Sequence, residues 1–312
     1  MQAERARRWH ESRTFHHSQF PPERLAAERT LSVSACLPAR NEEPTIGTIV
    51  GDLVRLRDSG VIDEVVVIDA ASADLTAEIA ADAGADVRQE ADLLPDLGPV
   101  LGKGDAMWRA LSVLDGDVVV YLDADSEGFG PHFVTGLLGP LAYDERIEFV
   151  KAFYRRPLKL GVVALPEGGG RVTELTARPL LNLFYPELAG FRQPLAGEFA
   201  ATRDLLHRLP FATGYAVEIA MLIDAWREVG LDGLAQVDVE VRQNRHQSLG
   251  ELAPMAYAVL RAVCARLERE GRLTGVEAAE ELLFPTADGL EERSVPLLER
   301  PPFATLSRPP AL

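Results

Sequence analysis

Residues 117–125, DVVVYLDAD, decide the fold. The run from Val118 to Leu122 shows no polar alternation, so it reads as a strand covered on both faces. Such strands belong to parallel sheets whose crossover helices lie above and below. The run ends in Asp123-Ala124-Asp125, two carboxylates that cannot be buried bare without a large desolvation cost. They fall at the C-terminal end of the strand, where open α/β sheets put their ligands.

Upstream, LSVSACLPAR (31–40) is a short apolar run, and in NEEPTIGTIVGDLVRLRDSG (41–60) Ile46, Ile49, Val50, Leu53, Val54 and Leu56 recur at helical spacing. The rhythm repeats: DEVVVID (63–69) is a continuous apolar strand, Ser72 or Asp74 is placed to cap, and the helical segment 77–85 closes at Gly84. GDAMWRALSVL (104–114) predicts the helix that leads into the decisive strand. This is an α/β, Rossmann-like, mostly parallel sheet with helices on both faces. From about Gly161 the pattern becomes more helical. The segment 253–270 is strongly amphipathic, with Met255, Val259, Leu260, Val263 and Leu267 on its apolar side, and a proline-rich tail follows Phe284. The expected organisation is an N-terminal arm (1–30), a nucleotide-sugar-binding half (31–160), an acceptor-binding half (161–250), and a C-terminal helix and tail (251–312) with dimer contacts.

At 312 residues and 47% hydrophobic, the chain can bury a large core, which excludes a disordered or collagen-like chain. A net charge of −16 opposes non-specific attraction to nucleic acid or anionic lipid. Two cysteines cannot build a disulfide framework and fit a reducing, cytoplasmic setting. The charged N-terminus lacks the apolar core of a signal peptide, and no stretch approaches a membrane span, so a soluble protein with no membrane partner is expected.

Two carboxylates one residue apart suit a hard divalent ion, Mg²⁺ or Mn²⁺, that also grips a diphosphate. An isolated D-x-D is common in solvated turns; its position after Val118–Leu122 favours the metal. Asn41 and Glu42 end the first strand and could read a base or ribose, or simply cap the next helix. Asp69 repeats that placement on the second strand. Gly102-Lys103-Gly104 combines a flexible backbone with a cation, a plausible phosphate cradle that lacks P-loop spacing. Gly168-Gly169-Gly170-Arg171-Val172-Thr173 is a second candidate anion site, with a hinge before a helix as the plainer alternative. Of the histidines, His10, His16, His17 and His132 lie in the N-terminal segment or on an expected surface helix, and His207 sits beside Arg208. His246 falls in a polar cluster after a predicted strand, and a lone histidine is more often structural than a ligand.

Taken in order, L-P-A-R-N-E-E (37–43), D-A-A-S-A-D (69–74), G-K-G-D-A-M-W-R (102–109), the D-x-D, F-Y-R-R-P (153–157), G-G-G-R-V-T-E-L (168–175), Q-P-L-A-G-E (193–198) and G-Y-A-V-E-I (214–219) resemble glycosyltransferase family 81, the glucosyl- and mannosyl-3-phosphoglycerate synthases. The likeness runs from about Leu31 to Leu249. It implies a GT-A fold, a homodimer, a divalent cation, and retaining transfer of a hexose from UDP-glucose or GDP-mannose to the 2-hydroxyl of 3-phosphoglycerate. Carried over by position, Pro38, Ala39, Asn41, Glu42, Asp69 and Ala124 would hold the nucleotide, with Lys103 and Asp123 at the donor phosphates. Asp125 would bind the metal. Leu195, Gly197, Tyr215 and Glu218 would line the sugar pocket. Gly170, Arg171, Val172, Thr173 and Asn244 would hold the acceptor.

Two departures from the family pattern stand out. The nucleoside turn reads Asp69-Ala70-Ala71-Ser72 where the family has D-S-G-S, which leaves base choice open. Asn244-Arg245-His246-Gln247 replaces H-R-N-R, so His246 becomes the expected substitute metal ligand. The alternatives are an inverting GT-A transferase acting on another acceptor and a nucleotide-sugar sensor without turnover.

Overall fold

The computed structural model describes residues 2–156, 158–160, 163–165, 170–242, 248–275, 279–286 and 289–306, with 158–160, 163–165 and 286 by backbone alone. Asn244 and His246 lie outside the described residues.

The chain opens with α1 (Gln2–Ser12), β1 (Thr14–His16) and α2 (Pro22–Glu28). It continues through β2 (Val33–Ala39), α3 (Glu43–Asp58), β3 (Glu64–Asp69), α4 (Thr76–Asp82), β4 (Asp86–Gln89), α5 (Lys103–Ala110), β5 (Val118–Tyr121) and α6 (His132–Tyr143). The next elements are β6 (Phe149–Arg155), the short pair β7 (Leu158–Leu160) and β8 (Val163–Leu165), α7 (Arg178–Phe184), β9 (Phe199–Thr202), α8 (Arg203–Arg208) and β10 (Phe211–Ala212). Then come α9 (Val217–Val229), β11 (Leu234–Val241), α10 (Leu249–Arg269), the hairpin β12 (Glu281–Thr286) and β13 (Gly289–Ser294), and β14 (Glu299–Arg300).

Eight strands form one sheet in the order β1-β11-β6-β9-β5-β2-β3-β4. All neighbours are parallel except β9, which runs antiparallel to both β5 and β6. One hydrophobic cluster covers each face, so the central strands are buried on both sides, as their unbroken apolar runs require. Pro38 is tolerated in central β2 because its pairing with β5 stops at Cys36, before the missing N–H would be needed.

The reversed β9 has a direct consequence for function. Parallel strands end at one edge of the sheet, and an antiparallel strand begins there. The C-terminal ends of β2, β3, β5, β6 and β11 and the start of β9 therefore meet along one line.

Three findings differ from the sequence expectations. Residues expected to form an arm supply an edge strand, because Thr14–His16 pairs in register with Gln236–Asp238. The stretch GVVALPEGGG (161–170), whose composition reads as a flexible loop, contains β8, which pairs antiparallel with β7 just before it. On α10, Leu260 is exposed, and Arg266 occupies the middle of the buried face instead. Its charge is received there by Asp224 and Glu299.

Candidate active site

The common edge opens into a cavity of about 660 Å³. At its floor Lys103, the first residue of α5, donates to Asp123 (2.5 Å) and Glu218 (2.9 Å). The backbone before α5 is fixed from below. Asp105 is fully buried between Arg109 and Arg300 and accepts the Leu101 N–H, so the turn carrying Lys103 is held rigidly.

Arg242, one residue past β11, is the second organising cation. Its guanidinium reaches Asp123 (2.9 Å), Asp125 (2.6 Å) and the buried Glu198 (2.7 Å). Tyr154 at the end of β6 accepts from Arg242 (2.9 Å) and donates to Glu198 (3.0 Å).

These contacts set the charges. Burial pushes Asp123 up, but Lys103 and Arg242 outweigh it and hold its carboxyl well below the usual range. Burial disfavours the Lys103 ammonium, yet Asp123 and Glu218 overcome that and keep it protonated. Glu198 is raised by burial, with Arg242 opposing. Gly197 lies against Asp123, and a Cβ there would collide with the Asp123 carboxylate, so only glycine allows this approach.

The part of the cavity expected to take the nucleoside is lined by Pro38, Ala39, Arg40 and Glu42 from the end of β2, and by Ile68 and Ala70 from the end of β3. Asn41 is placed differently. It adopts φ 56°, and its side-chain oxygen accepts the Ala73 N–H at 2.8 Å, while its own N–H donates to Ser72 Oγ at 2.9 Å. It thus locks the loops after β2 and β3 together. Asp69 Oδ2 accepts from the Ser72 N–H, whereas its buried Oδ1 has no hydrogen-bond partner among the described residues.

The same cavity is also lined by Leu195, Gly197, Tyr215 and Glu218, together with Ala124, Arg156 and Val172. Asp125 and Val172 line the same space, so the D-x-D and the helical segment that follows Gly170 share one cleft. Gly170 takes the left-handed φ of 73° that turns the chain into the helical segment carrying Arg171, Val172 and the buried Thr173. Arg171 and Thr173 flank Val172 without themselves lining the cavity.

Arg242, Glu198, Tyr154 and Arg156 were not singled out as individual site residues from the sequence. Tyr154, Arg156 and Glu198 sit inside F-Y-R-R-P and Q-P-L-A-G-E, and that membership was the available signal. Arg242 carried none, because it is 117 positions from Asp125 and only the β11–β6–β9–β5 order brings them together.

The donor set suits a hard divalent ion: Asp123 and Asp125 offer carboxylate oxygens, and Asp125 is about half exposed to the cavity (47%). Arg242 supplies the positive charge these carboxylates need.

The glycosyl transferase family 2 pattern matches residues 34–175. A glucosyl-3-phosphoglycerate synthase of Petrotoga mobilis is 42% identical over 94% of this chain and 94% of its own length. The crystal structure of mannosyl-3-phosphoglycerate synthase from Rubrobacter xylanophilus superposes with a TM-score of 0.90 at 48% identity, covering 97% of this chain and 98% of that one. The glucosyl-3-phosphoglycerate synthase of Mycobacterium tuberculosis, crystallised with Mn²⁺, UDP-glucose and phosphoglyceric acid, superposes at 0.78 with 42% identity over 90% and 93% of the two chains. With its GT-A sheet, its D-x-D at the strand ends and full-length similarity of this degree, the chain belongs to the family of glucosyl- and mannosyl-3-phosphoglycerate synthases.

Proposed function

We propose that this protein is a metal-dependent retaining hexosyltransferase that moves glucose from UDP-glucose or mannose from GDP-mannose to the 2-hydroxyl of 3-phosphoglycerate. The observation that carries this reading is the shared cavity, whose lining combines the Lys103–Asp123–Glu218 and Arg242–Asp125 clusters with Val172, just after the Gly170 bend. The relatives named above are synthases of these products, and one binds Mn²⁺, UDP-glucose and phosphoglyceric acid together.

In this reading Asp125, with Asp123, would hold Mg²⁺ or Mn²⁺, which when bound offsets charge on the donor diphosphate. Lys103 would donate to a phosphate oxygen, an interaction that strengthens as the glycosidic bond breaks. Asp69 Oδ1, a buried acceptor lacking a donor, would take an N–H from the base; uracil and guanine both provide one. Leu195, Gly197, Tyr215 and Glu218 would bound the hexose. Arg171 and Thr173 would grip the acceptor phosphate and orient its hydroxyl, so that encounter becomes positioning.

Glu218 is already held by Lys103 at 2.9 Å, which blunts it as a nucleophile and favours attack by the acceptor on the same face. The bond from the anomeric carbon to the diphosphate oxygen breaks, the bond to the acceptor O2 forms, and the hydroxyl proton passes to the leaving phosphate. The division into donor half (31–160) and acceptor half (161–250) belongs to this proposal, as do a cytoplasmic location and self-association through 251–312. Among the described residues no helix is long and apolar enough to cross a membrane.

The deciding experiment incubates the protein with 3-phosphoglycerate and each donor in turn, with Mn²⁺ or with chelator. The expected result is metal-dependent glycosylation from one donor, with the anomeric configuration preserved by NMR. Donor hydrolysis without transfer, or an inverted product, would overturn the proposal.

A further inference from the structure

The outer flank of the sheet carries a second group of metal-ligating side chains, separate from the D-x-D. His16 closes edge strand β1, His17 begins the turn after it, and Glu240 projects from β11 alongside. One ligand atom from each of the three lies within 4.8 Å of the others. His17 Nε2 is 3.1 Å from Glu240 Oε1. Two ligands of a tetrahedral ion bound at about 2.1 Å stand about 3.4 Å apart, so this pair already has the required spacing and side-chain rotation supplies the rest.

The backbone builds this arrangement. The register between β11 and β6 shifts after Asp238, and Glu240 takes a left-handed φ of 70°, unfavourable for a residue with a Cβ. The irregularity delivers Glu240 to the histidines. The rings of His16 and His17 lie 4.5 Å apart, and His132 at the start of α6 packs on His17 at 4.8 Å. His16 Nδ1 accepts the Ser18 N–H at 3.2 Å and lies 2.8 Å from Ser18 Oγ, which fixes the ring in place. Protonating adjacent imidazoles would set like charges against each other. A cation shared by neutral rings and one carboxylate satisfies all of them.

We propose that His16, His17 and Glu240 bind a divalent transition ion of the imidazole-preferring class, Zn²⁺ foremost, with the remaining position open to water. Such an ion clips edge strand β1 to β11 two residues before Arg242, and so acts on the scaffold of the site and not on its chemistry.

The test uses chelator-stripped full-length protein in excess Mg²⁺, with Zn²⁺ binding followed by equilibrium dialysis and by thermal melting. The wild type and Asp125→Ala are expected to bind one Zn²⁺ per chain and to melt higher as Zn²⁺ rises. His17→Ala is expected to lose at least tenfold in affinity and the melting shift with it. Glu240→Gln, a near-isosteric change, guards against loss through misfolding and is expected to lose about tenfold. Unchanged binding in both His17→Ala and Glu240→Gln, or loss of binding in Asp125→Ala, would overturn the proposal, the latter by assigning the ion to the D-x-D.

Discussion

Arg242 and Arg266 each gather carboxylates from separate elements in the protein interior. Arg242 holds Asp123, Asp125 and Glu198, while Arg266 holds Asp224 at 2.5 Å and Glu299 at 2.8 Å. Their ion chemistry is alike, but their surroundings are not. The Arg266 cluster is closed: it ties α10 to α9 and to β14, and the tail beyond is pinned by the Trp108 indole donating to Pro301. The Arg242 cluster has one side open to the cavity, where Asp125 keeps about half its surface. A closed network of charges serves the fold, whereas an open one leaves carboxylates able to exchange a protein cation for a ligand or metal.

The comparison is most sharply tested at Asp125. Asp125→Ala is expected to lower turnover by about 10³-fold or more, since a ligand to the ion acts mainly in the transition state. Its melting temperature should stay within a few degrees of wild type. A variant that keeps near-normal rates with Mn²⁺ present would remove the open cluster from the chemistry.

Arg266→Ala is the reciprocal case. Removing the cation strands Asp224 in the interior, and a loss of about 3–5 kcal/mol is expected by denaturant unfolding. The fraction that remains folded should keep its kcat. A large fall in kcat at unchanged stability would show that the closed cluster also acts on catalysis.

Arg171→Ala is expected to raise KM for 3-phosphoglycerate by about 10–100-fold with a small change in kcat, as befits a group binding a remote phosphate. An unchanged KM would remove Arg171 from the acceptor site.

Lys151, buried on β6 with no hydrogen-bond partner for its Nζ among the described residues, provides the mildest test. Burial pushes its ammonium down to about 8, although Glu218 pulls the other way. Because the unfolded chain holds this proton up to the usual lysine value, it binds more protons between pH about 8 and about 10. Stability from this group therefore rises with pH across that window, and its cost is fully present below about 8. Lys151→Met is expected to stabilise the protein at pH 7, by an amount that shrinks toward pH about 10, and to flatten the pH dependence of unfolding. Equal slopes for wild type and variant would contradict this.

Much of the fold was legible because its signals are local. Short apolar runs within Val33–Ala39, Glu64–Asp69 and Val118–Tyr121, the last two rich in β-branched residues, read as strands buried on both faces, and periods of 3.6 residues mark the helices between them. The D-x-D was legible for the same reason, since a polar pair at the end of such a run must meet water, a cation or a ligand. Thr14–His16 and the 158–165 pair escaped because strands of three residues carry too little periodicity to read. Leu260 was misplaced because spacing describes a helical face and cannot say that a paired arginine will take its centre.

The sequence by itself therefore determined the alternation of strand and helix, the strand ends at which chemistry gathers, and the family to which the motifs belong. These rest on residues adjacent in the chain, whose backbone geometry couples them directly. Only the tertiary structure decided that Arg242 completes the cluster around Asp123 and Asp125, that Asn41 is used to lock two loops, and that His16 and His17 meet Glu240. The Arg242 cluster and the meeting of His16 and His17 with Glu240 depend on sheet order, and strand pairing across more than a hundred residues leaves no mark on local sequence; the Asn41 lock depends on side-chain contacts between two loops about thirty residues apart, which no local pattern encodes.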